Sequence, residues 1–184
     1  MPNVALIKAS GMPLNIPASS VYGIFRTPSV KLEALDTRTI LLTTYKNNTS
    51  FWIVDSADDV FEAVQNNLPK NAPKQFWAKL EPVKLPEDES WAKEHYKIQR
   101  EVNPENLPSF EEYLKALEEL RAVKDSSYVL ANNLIGYDGV KQEDGTLALQ
   151  YWVRDANGLE ISDLCAYTPE NEKELQEAIA KSNN

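Results

Sequence analysis

The sequence predicts an α+β fold in which two strand-rich segments, each closed by a helix, flank a helical middle segment. Two hairpin patterns support this: β-rich runs surround an Asn-rich turn within residues 39–54, and others surround the turn Asp155–Gly158. Six prolines interrupt the stretch between the two hairpins. The expected division is a first strand-rich unit with its closing helix, a Pro-broken acidic helical segment and a second strand-rich unit with its closing helix, over residues 1–70, 71–127 and 128–184.

The first unit alternates strands with turns and ends in a helix. Ser56 is the expected N-cap of that helix, Asp58 and Asp59 fall in its first turn, where carboxylates favour the positive end of the dipole, and Pro69 stops it. Runs of β-branched, aromatic and alternating apolar residues predict its strands at Val4–Ile7, Val21–Phe25, Val30–Ala34, Thr39–Tyr45 and Phe51–Val54.

The middle segment contains the strongest helix pattern. Ser109 and Glu112 form a capping box, and apolar residues then recur at helical spacing over 109–124. A second helix is expected over 87–102, whereas Phe76–Leu80 fits either a short strand or one turn of helix. In the second unit, strands are predicted at Tyr128–Leu130, Leu134–Tyr137, Leu147–Val153 and Leu159–Tyr167, and Thr168 with Pro169 opens the last helix.

The two strand-rich segments resemble each other in sequence. Ile16–Ile24 aligns with Val129–Tyr137, Thr39–Leu42 with Thr146–Leu149, and Val60–Val64 with Leu175–Ile179, in the same order. This pattern indicates duplication of one β-β-β-α unit. The alternative is that any two segments of hairpin and helix look alike by pattern alone.

Composition and charge restrict the classes of function. The net charge of −9 is uneven, from 0 over residues 1–70 to −3 over 71–127 and −6 over 128–184. Nucleic-acid backbones and anionic membranes attract clustered Lys and Arg, so this gradient disfavours both as partners. No apolar run approaches the roughly 20 residues of a membrane span. The single cysteine, Cys165, and the lack of a signal-peptide pattern indicate a reducing, cytoplasmic location.

No catalytic or cofactor motif stands out. His95 lies in a charged run typical of a solvated helix, and Cys165 lies between apolar residues as a small buried side chain would. One Cys and one His cannot complete a tetrahedral zinc site, and phosphate-binding glycine loops are absent, so no metal or cofactor is expected. An enzyme with a carboxylate-based site and no motif is the alternative to a non-catalytic protein.

The leading hypothesis is a non-catalytic protein that binds a basic protein partner or takes part in assembly. Chains of this composition are frequent among phage and mobile elements, as structural components or inhibitors of host machinery. A homo-oligomer that pairs through open strand edges is a further alternative. The expected binding residues are acids of the second unit and two strand tryptophans, namely Asp138, Glu143, Asp144, Asp155, Glu160, Asp163, Trp52 and Trp152.

Overall fold

A computed structural model of the 184-residue chain contains both helices and sheets, so the α+β class is confirmed. The structure describes residues 3–7, 11–26, 40–45, 50–53, 56–71, 74–83, 89–102, 109–122, 125–142, 145–155 and 157–182. The predicted strand at Val30–Ala34 and the turn at Lys46–Thr49 lie outside them.

Ten strands and four helices are defined within this part of the chain. The strands are β1 (Asn3–Ile7), β2 (Pro13–Pro17), β3 (Val21–Phe25), β4 (Ile40–Thr44), β5 (Ser50–Ile53), β6 (Trp77–Leu80), β7 (Ser127–Leu130), β8 (Leu134–Lys141), β9 (Leu147–Arg154) and β10 (Glu160–Ala166). The helices are α1 (Ala57–Asn66), α2 (Glu89–Val102), α3 (Phe110–Ala122) and α4 (Pro169–Ser182). Strand β2 has no counterpart in the sequence prediction, because its two prolines and its asparagine disfavour a strand locally.

Side-chain caps fix where three of the helices begin. The Ser56 hydroxyl accepts from Asp59 N at 3.1 Å, and the Ser109 hydroxyl accepts from Glu112 N at 3.2 Å. Thr168 Oγ1 likewise accepts from Asn171 N at 3.1 Å. Each cap satisfies an amide that the first helical turn leaves without a partner, so these three predicted starts are confirmed.

One sheet joins the two strand-rich segments. Its five strands run in the order β5-β4-β3-β7-β6, and β3 pairs antiparallel with β7 through Gly23 opposite Val129 and Ile24 opposite Tyr128. A two-stranded sheet, β1-β2, and a three-stranded sheet, β10-β9-β8, complete the described strands. Strands from early and late in the sequence therefore share one sheet, which only tertiary pairing could bring together.

Contacts group the chain into two compact units. One unit comprises residues 1–27, 39–83 and 125–184, and the other comprises 28–38 and 84–124. The division of the sequence at residues 70 and 127 stays a prediction.

The first unit has two apolar clusters of buried side chains. In one, α1 places Val60 and Val64 against Ile24 and Leu42 of the five-stranded sheet. In the other, α4 and the three-stranded sheet pack with residues of β3, β6 and β7, among them Phe25, Leu80, Val129, Tyr151 and Leu175. Helix α4 contacts β6 as well as β8, and α1 contacts β7 as well as β3, so each helix packs on strands from more than one segment of the sequence.

The geometry of the two strand-rich segments matches at several points. Ala18–Ser20 and Ala131–Asn133 are both single 3₁₀ turns that lead into β3 and β8, and the alanine of each is buried. Each following strand has a register irregularity two residues long, at Val21–Gly23 and at Leu134–Gly136. In the same way, β1 pairs with β2 before the first turn and β6 pairs with β7 before the second.

Strand pairing shifts one part of the sequence alignment. Thr43 lies opposite Gly23 and Trp152 lies opposite Gly136, which moves the predicted match of Thr39–Leu42 with Thr146–Leu149 by two residues. A two-residue shift keeps every side chain on the same face of a strand, so the apolar pattern could not detect it. Duplication of an ancestral unit stays a hypothesis.

The second unit is a helical pair with its own small core. Ala92 of α2 contacts Tyr113 and Leu117 of α3, and all three are buried. His95 is half-buried, not solvated as the sequence pattern suggested, because its Nδ1 lies 2.6 Å from the Tyr113 hydroxyl. Burial lowers the pKa of His95, so the neutral imidazole is favoured.

Candidate protein-binding surface

The three-stranded sheet has one face directed to the core. Register places Leu149, Tyr151 and Val153 of β9 on this inner face, and all three are buried. Cys165 of β10 lies opposite Leu149 and is also buried, as expected of a small apolar side chain. Alternation then assigns the side chains between these positions, and their partners on β8 and β10, to the opposite face.

We call this opposite side the outer face of the β8–β9–β10 sheet. By register it comprises Asp138, Val140, Ala148, Gln150, Trp152, Arg154, Glu160, Ser162, Leu164 and Ala166, of which Ala148 is buried. Gln150 Nε2 donates to Ser162 Oγ at 3.3 Å, which confirms that β9 and β10 present these side chains together. The face combines apolar, hydroxyl, amide and charged groups.

Trp152 lies near the middle of the outer face. Register places it between Gly136 of β8 and Ser162 of β10. A Cβ atom built at Gly136 would have no neighbour within 4 Å, so the strand beside the indole is open. Trp152 is half-buried, so part of its aromatic side chain is open to solvent.

Two of the predicted acids lie on the outer face. Asp138 and Glu160 are both exposed, on the two strands that flank β9. Asp138 Oδ1 also accepts from Gly139 N at 2.8 Å, which holds its carboxylate against the strand backbone. Arg154 is the described basic side chain nearest to them in register, since it pairs with Glu160.

The other predicted acids have different surroundings. Asp155 Oδ1 accepts from Asn157 N at 2.9 Å and Leu159 N at 2.8 Å, so it shapes the hairpin turn. Asp163 lies on the inner face, opposite Tyr151, and is therefore not part of the outer face. Glu143 and Asp144 are outside the described residues.

Asp163 belongs to a buried polar group under the sheet. Its Oδ2 accepts from the Tyr151 hydroxyl at 3.2 Å. Burial raises the pKa of Asp163 to about 6, although hydrogen bonds from Leu164 N and Tyr151 oppose the rise. Burial and then the Asp163 charge raise the pKa of Cys165 to about 12 and that of Tyr151 well above its usual range. The thiol and the phenol therefore stay protonated and are poor nucleophiles.

The predicted pair of tryptophans is not equivalent in the structure. The backbone of Trp52 lies in β5 opposite Leu41, and its side chain is outside the described part of the structure. Trp152 lies on the face opposite Leu149 and Tyr151, as alternation along the strand predicted. In the alignment of the two segments, Thr43 opposite Gly23 corresponds to Trp152 opposite Gly136, so Trp52 is not the counterpart of Trp152.

Sequence reasoning missed four exposed apolar side chains in and beside the three-stranded sheet, and register places Leu147 and Ile161 on the side of Leu149 and Val153, not on the outer face. Ile135, Leu147, Leu159 and Ile161 are exposed at the ends and edges of the three-stranded sheet. Leu147 shares its side of β9 with Leu149 but remains 57% exposed because it begins the strand. Alternation reports which face a side chain shares, and it cannot report where the covering layer ends.

Within the described residues, no group of three or more His, Cys, Asp or Glu side chains could hold a metal ion. None of the described helices has the length and apolar character needed to span a membrane. Comparisons with known protein families, with curated proteins and with solved structures gave no match to this chain.

Proposed function

We propose that the chain is a non-catalytic protein that binds a protein partner through the outer face of the β8–β9–β10 sheet. The observation that supports it most is Trp152, half-buried on the outer face beside the open strand at Gly136. Tryptophan is enriched among the residues that dominate binding energy at protein interfaces. A sheet face with an aromatic centre suits a broad contact better than a small ligand, which prefers a concave site.

The charge of the second segment favours a partner with a basic contact surface. Residues 128–184 have a net charge of −6, and Asp138 and Glu160 are exposed on the outer face. Opposite charges at the rim of an interface speed association and add salt dependence. The proposal includes inhibition of host machinery by a phage or mobile-element protein, in which acidic side chains occupy a basic groove.

The proposal also places the protein in a reducing compartment such as the cytoplasm. Cys165 is the single cysteine and is buried, so it is available neither for an intrachain disulfide nor for a surface one.

The test begins with the protein immobilised as bait for a lysate of its native host, and each captured protein is then purified. Titration calorimetry measures the affinity of that protein for the wild-type chain, for Trp152→Ala and for Asp138→Asn/Glu160→Gln. Glu62→Gln on exposed helix α1 is the matched control for loss of one carboxylate. Trp152→Ala should weaken binding by roughly 30-fold or more, the effect of a central interface residue.

For Asp138→Asn/Glu160→Gln, the affinity for the captured protein should depend much less on salt than it does for the wild type. Exposed charge pairs are screened over about 10 Å at 0.1 M salt. Equal affinity of the wild type and Trp152→Ala for every captured protein would refute the outer face as the binding surface. A purified substrate turned over by the protein would refute the non-catalytic assignment.

A further inference from the structure

Corresponding strands of the two strand-rich segments differ in whether both of their edges are paired among the described strands. Strand β3 pairs with β4 on one side and with β7 on the other. Its counterpart β8 follows the same 3₁₀ turn and the same irregularity, yet among the described strands it pairs with β9 alone. The edge of β8 therefore corresponds to the edge of β3 that β7 occupies.

The strand that would fit this edge also has a counterpart. Strand β7 precedes the second 3₁₀ turn as β2 precedes the first, with Pro17 and Leu130 in closely similar backbone conformations (φ −63° and −68°). Within the described sheets β2 pairs with β1 alone, just as β7 would if β3 were removed. Strand β7 uses one edge to pair with β3. The matching edge of β2 has no partner among the described strands.

Position for position, the β8 edge differs from the β3 edge in its side chains. Arg26 N donates to Ser127 Oγ of β7 at 2.8 Å, whereas the matching Gly139 N donates to the carboxylate of Asp138 at 2.8 Å. Asp138 matches Phe25, which is 3% exposed in the apolar core. At the β8 edge, the Asp138 carboxylate therefore takes the place that Ser127 of β7 has at the β3 edge. It also stands where β3 has the apolar side chain of Phe25.

The β2 edge is closed by another means. Pro13, Asn15 and Pro17 pair with alternate residues of β1, so their backbone groups point to one side of the strand. Their matches in β7 include Tyr128, which faces β3. Because proline has no N–H, this side of β2 offers a single donor, at Asn15. Charged side chains and prolines on an edge strand are recognised means of preventing strand addition.

We infer that the β8 edge is a latent docking edge for strand β2 of a second copy of this chain, kept closed by Asp138, Pro13 and Pro17. The paired arrangement would repeat the antiparallel β3–β7 contact, with Tyr137 opposite Asn15 in place of Ile24 opposite Tyr128. Such a contact joins two different surfaces and does not close on itself, so an unguarded chain would extend head to tail. The wild-type chain is accordingly expected not to associate through these two edges. This inference is independent of the proposed function.

Opening one edge at a time tests the inference. Asp138→Val opens β8, and Pro13→Ser/Pro17→Leu gives β2 the residues found at the matching positions Ser126, just before β7, and Leu130 of β7. Each variant alone should sediment as a monomer, because each retains one closed edge. An equimolar mixture should sediment at twice the monomer mass, and the two changes combined in one chain should give larger assemblies.

Glu160→Val is the matched control, since it also replaces an exposed strand carboxylate of the same sheet with valine but caps no edge amide of β8. Mixed with the proline variant, it should leave both proteins monomeric. Cooperative thermal unfolding of every variant shows that each one is folded. The inference is overturned if the mixture of folded edge variants stays monomeric, if Asp138→Val alone associates, or if the wild type already pairs through these edges.

Discussion

The phenol of Tyr128 donates to Oδ1 of Asp58 over 2.8 Å and thereby ties strand β7 to the first turn of helix α1. The same oxygen accepts from Ser126 N at 3.3 Å, while Asp125 Oδ2 accepts from Ala57 N at 3.0 Å. Burial and the Asp58 contact raise the pKa of Tyr128 well above its usual range. The late segment thus caps the helix of the early segment.

Loss of this contact should destabilise the protein measurably. Tyr128→Phe removes one hydrogen bond and should lower the free energy of unfolding by about 1 kcal/mol. Asp58→Ala removes two hydrogen bonds and a favourable charge at the helix N-terminus, so about 2 kcal/mol is expected. Asp59→Ala, in the same turn and exposed, is the control and should cost less than 1 kcal/mol. Urea unfolding of both variants and their double mutant measures the coupling, and strictly additive effects would contradict it.

Asn171 should be among the least replaceable polar residues of the first unit. It is 1% exposed, its Nδ2 donates to Glu81 O at 3.0 Å and Ala166 O at 2.8 Å, and its Oδ1 accepts from Glu81 N at 2.9 Å. Asn171→Asp keeps the shape and the acceptor but replaces two donors with a charged oxygen facing two carbonyl oxygens. We expect a loss of about 3 kcal/mol or more by chemical denaturation. A near-neutral effect would contradict this role.

Stability should depend on pH through Asp163. Its pKa is raised to about 6 in the folded state from an ordinary 3.8, so folding favours the protonated acid. That contribution is complete below about pH 4 and is lost as the pH rises through 6. Asp163→Asn should remove this component and raise the stability at pH 7 by on the order of 1–3 kcal/mol relative to wild type. If the free energy of unfolding changes with pH in the same way for wild type and Asp163→Asn from pH 4 to about 7, Asp163 does not contribute to the pH dependence.

Two matched glycines should respond differently to alanine. A Cβ at Gly23 would overlap Thr43 Oγ1 and the ring of Phe25, whereas a Cβ at Gly136 has no neighbour within 4 Å. Gly23→Ala should therefore cost about 1–3 kcal/mol through overpacking, and Gly136→Ala should be nearly neutral for stability. Thermal unfolding compares the two directly. Similar losses at both positions would contradict the different packing of the two sheets.

The sequence predicted local structure better than long-range arrangement. The helix starts at Ser56, Ser109 and Thr168 follow from side-chain caps that act within one turn. The pairing of β3 with β7 depends on contacts a hundred residues apart, and nothing in the pattern of either strand identifies its partner. Trp152 lies on the face opposite Leu149 and Tyr151, which is what the local alternation of side chains along a strand predicts.

The acidic residues show where pattern reasoning fails. Asp138, Asp155 and Asp163 look alike in sequence, as single acids in or beside strands. In the structure one covers an edge amide, one shapes a turn and one is bound to a buried tyrosine. Only the register of the sheet separates these roles, because a carboxylate on a strand may serve the surface, the backbone or the interior.

The main proposal is that the chain binds a protein partner through the outer face of the β8–β9–β10 sheet. Hydrogen exchange of the complex tests it most directly. Amide exchange is measured by mass spectrometry on the wild-type chain alone and saturated with the purified captured partner. We predict slower exchange in peptides that cover residues 136–141, 147–154 and 160–166, and no change in α2 and α3. Protection confined to those two helices, with the three strands unchanged, would contradict the proposal.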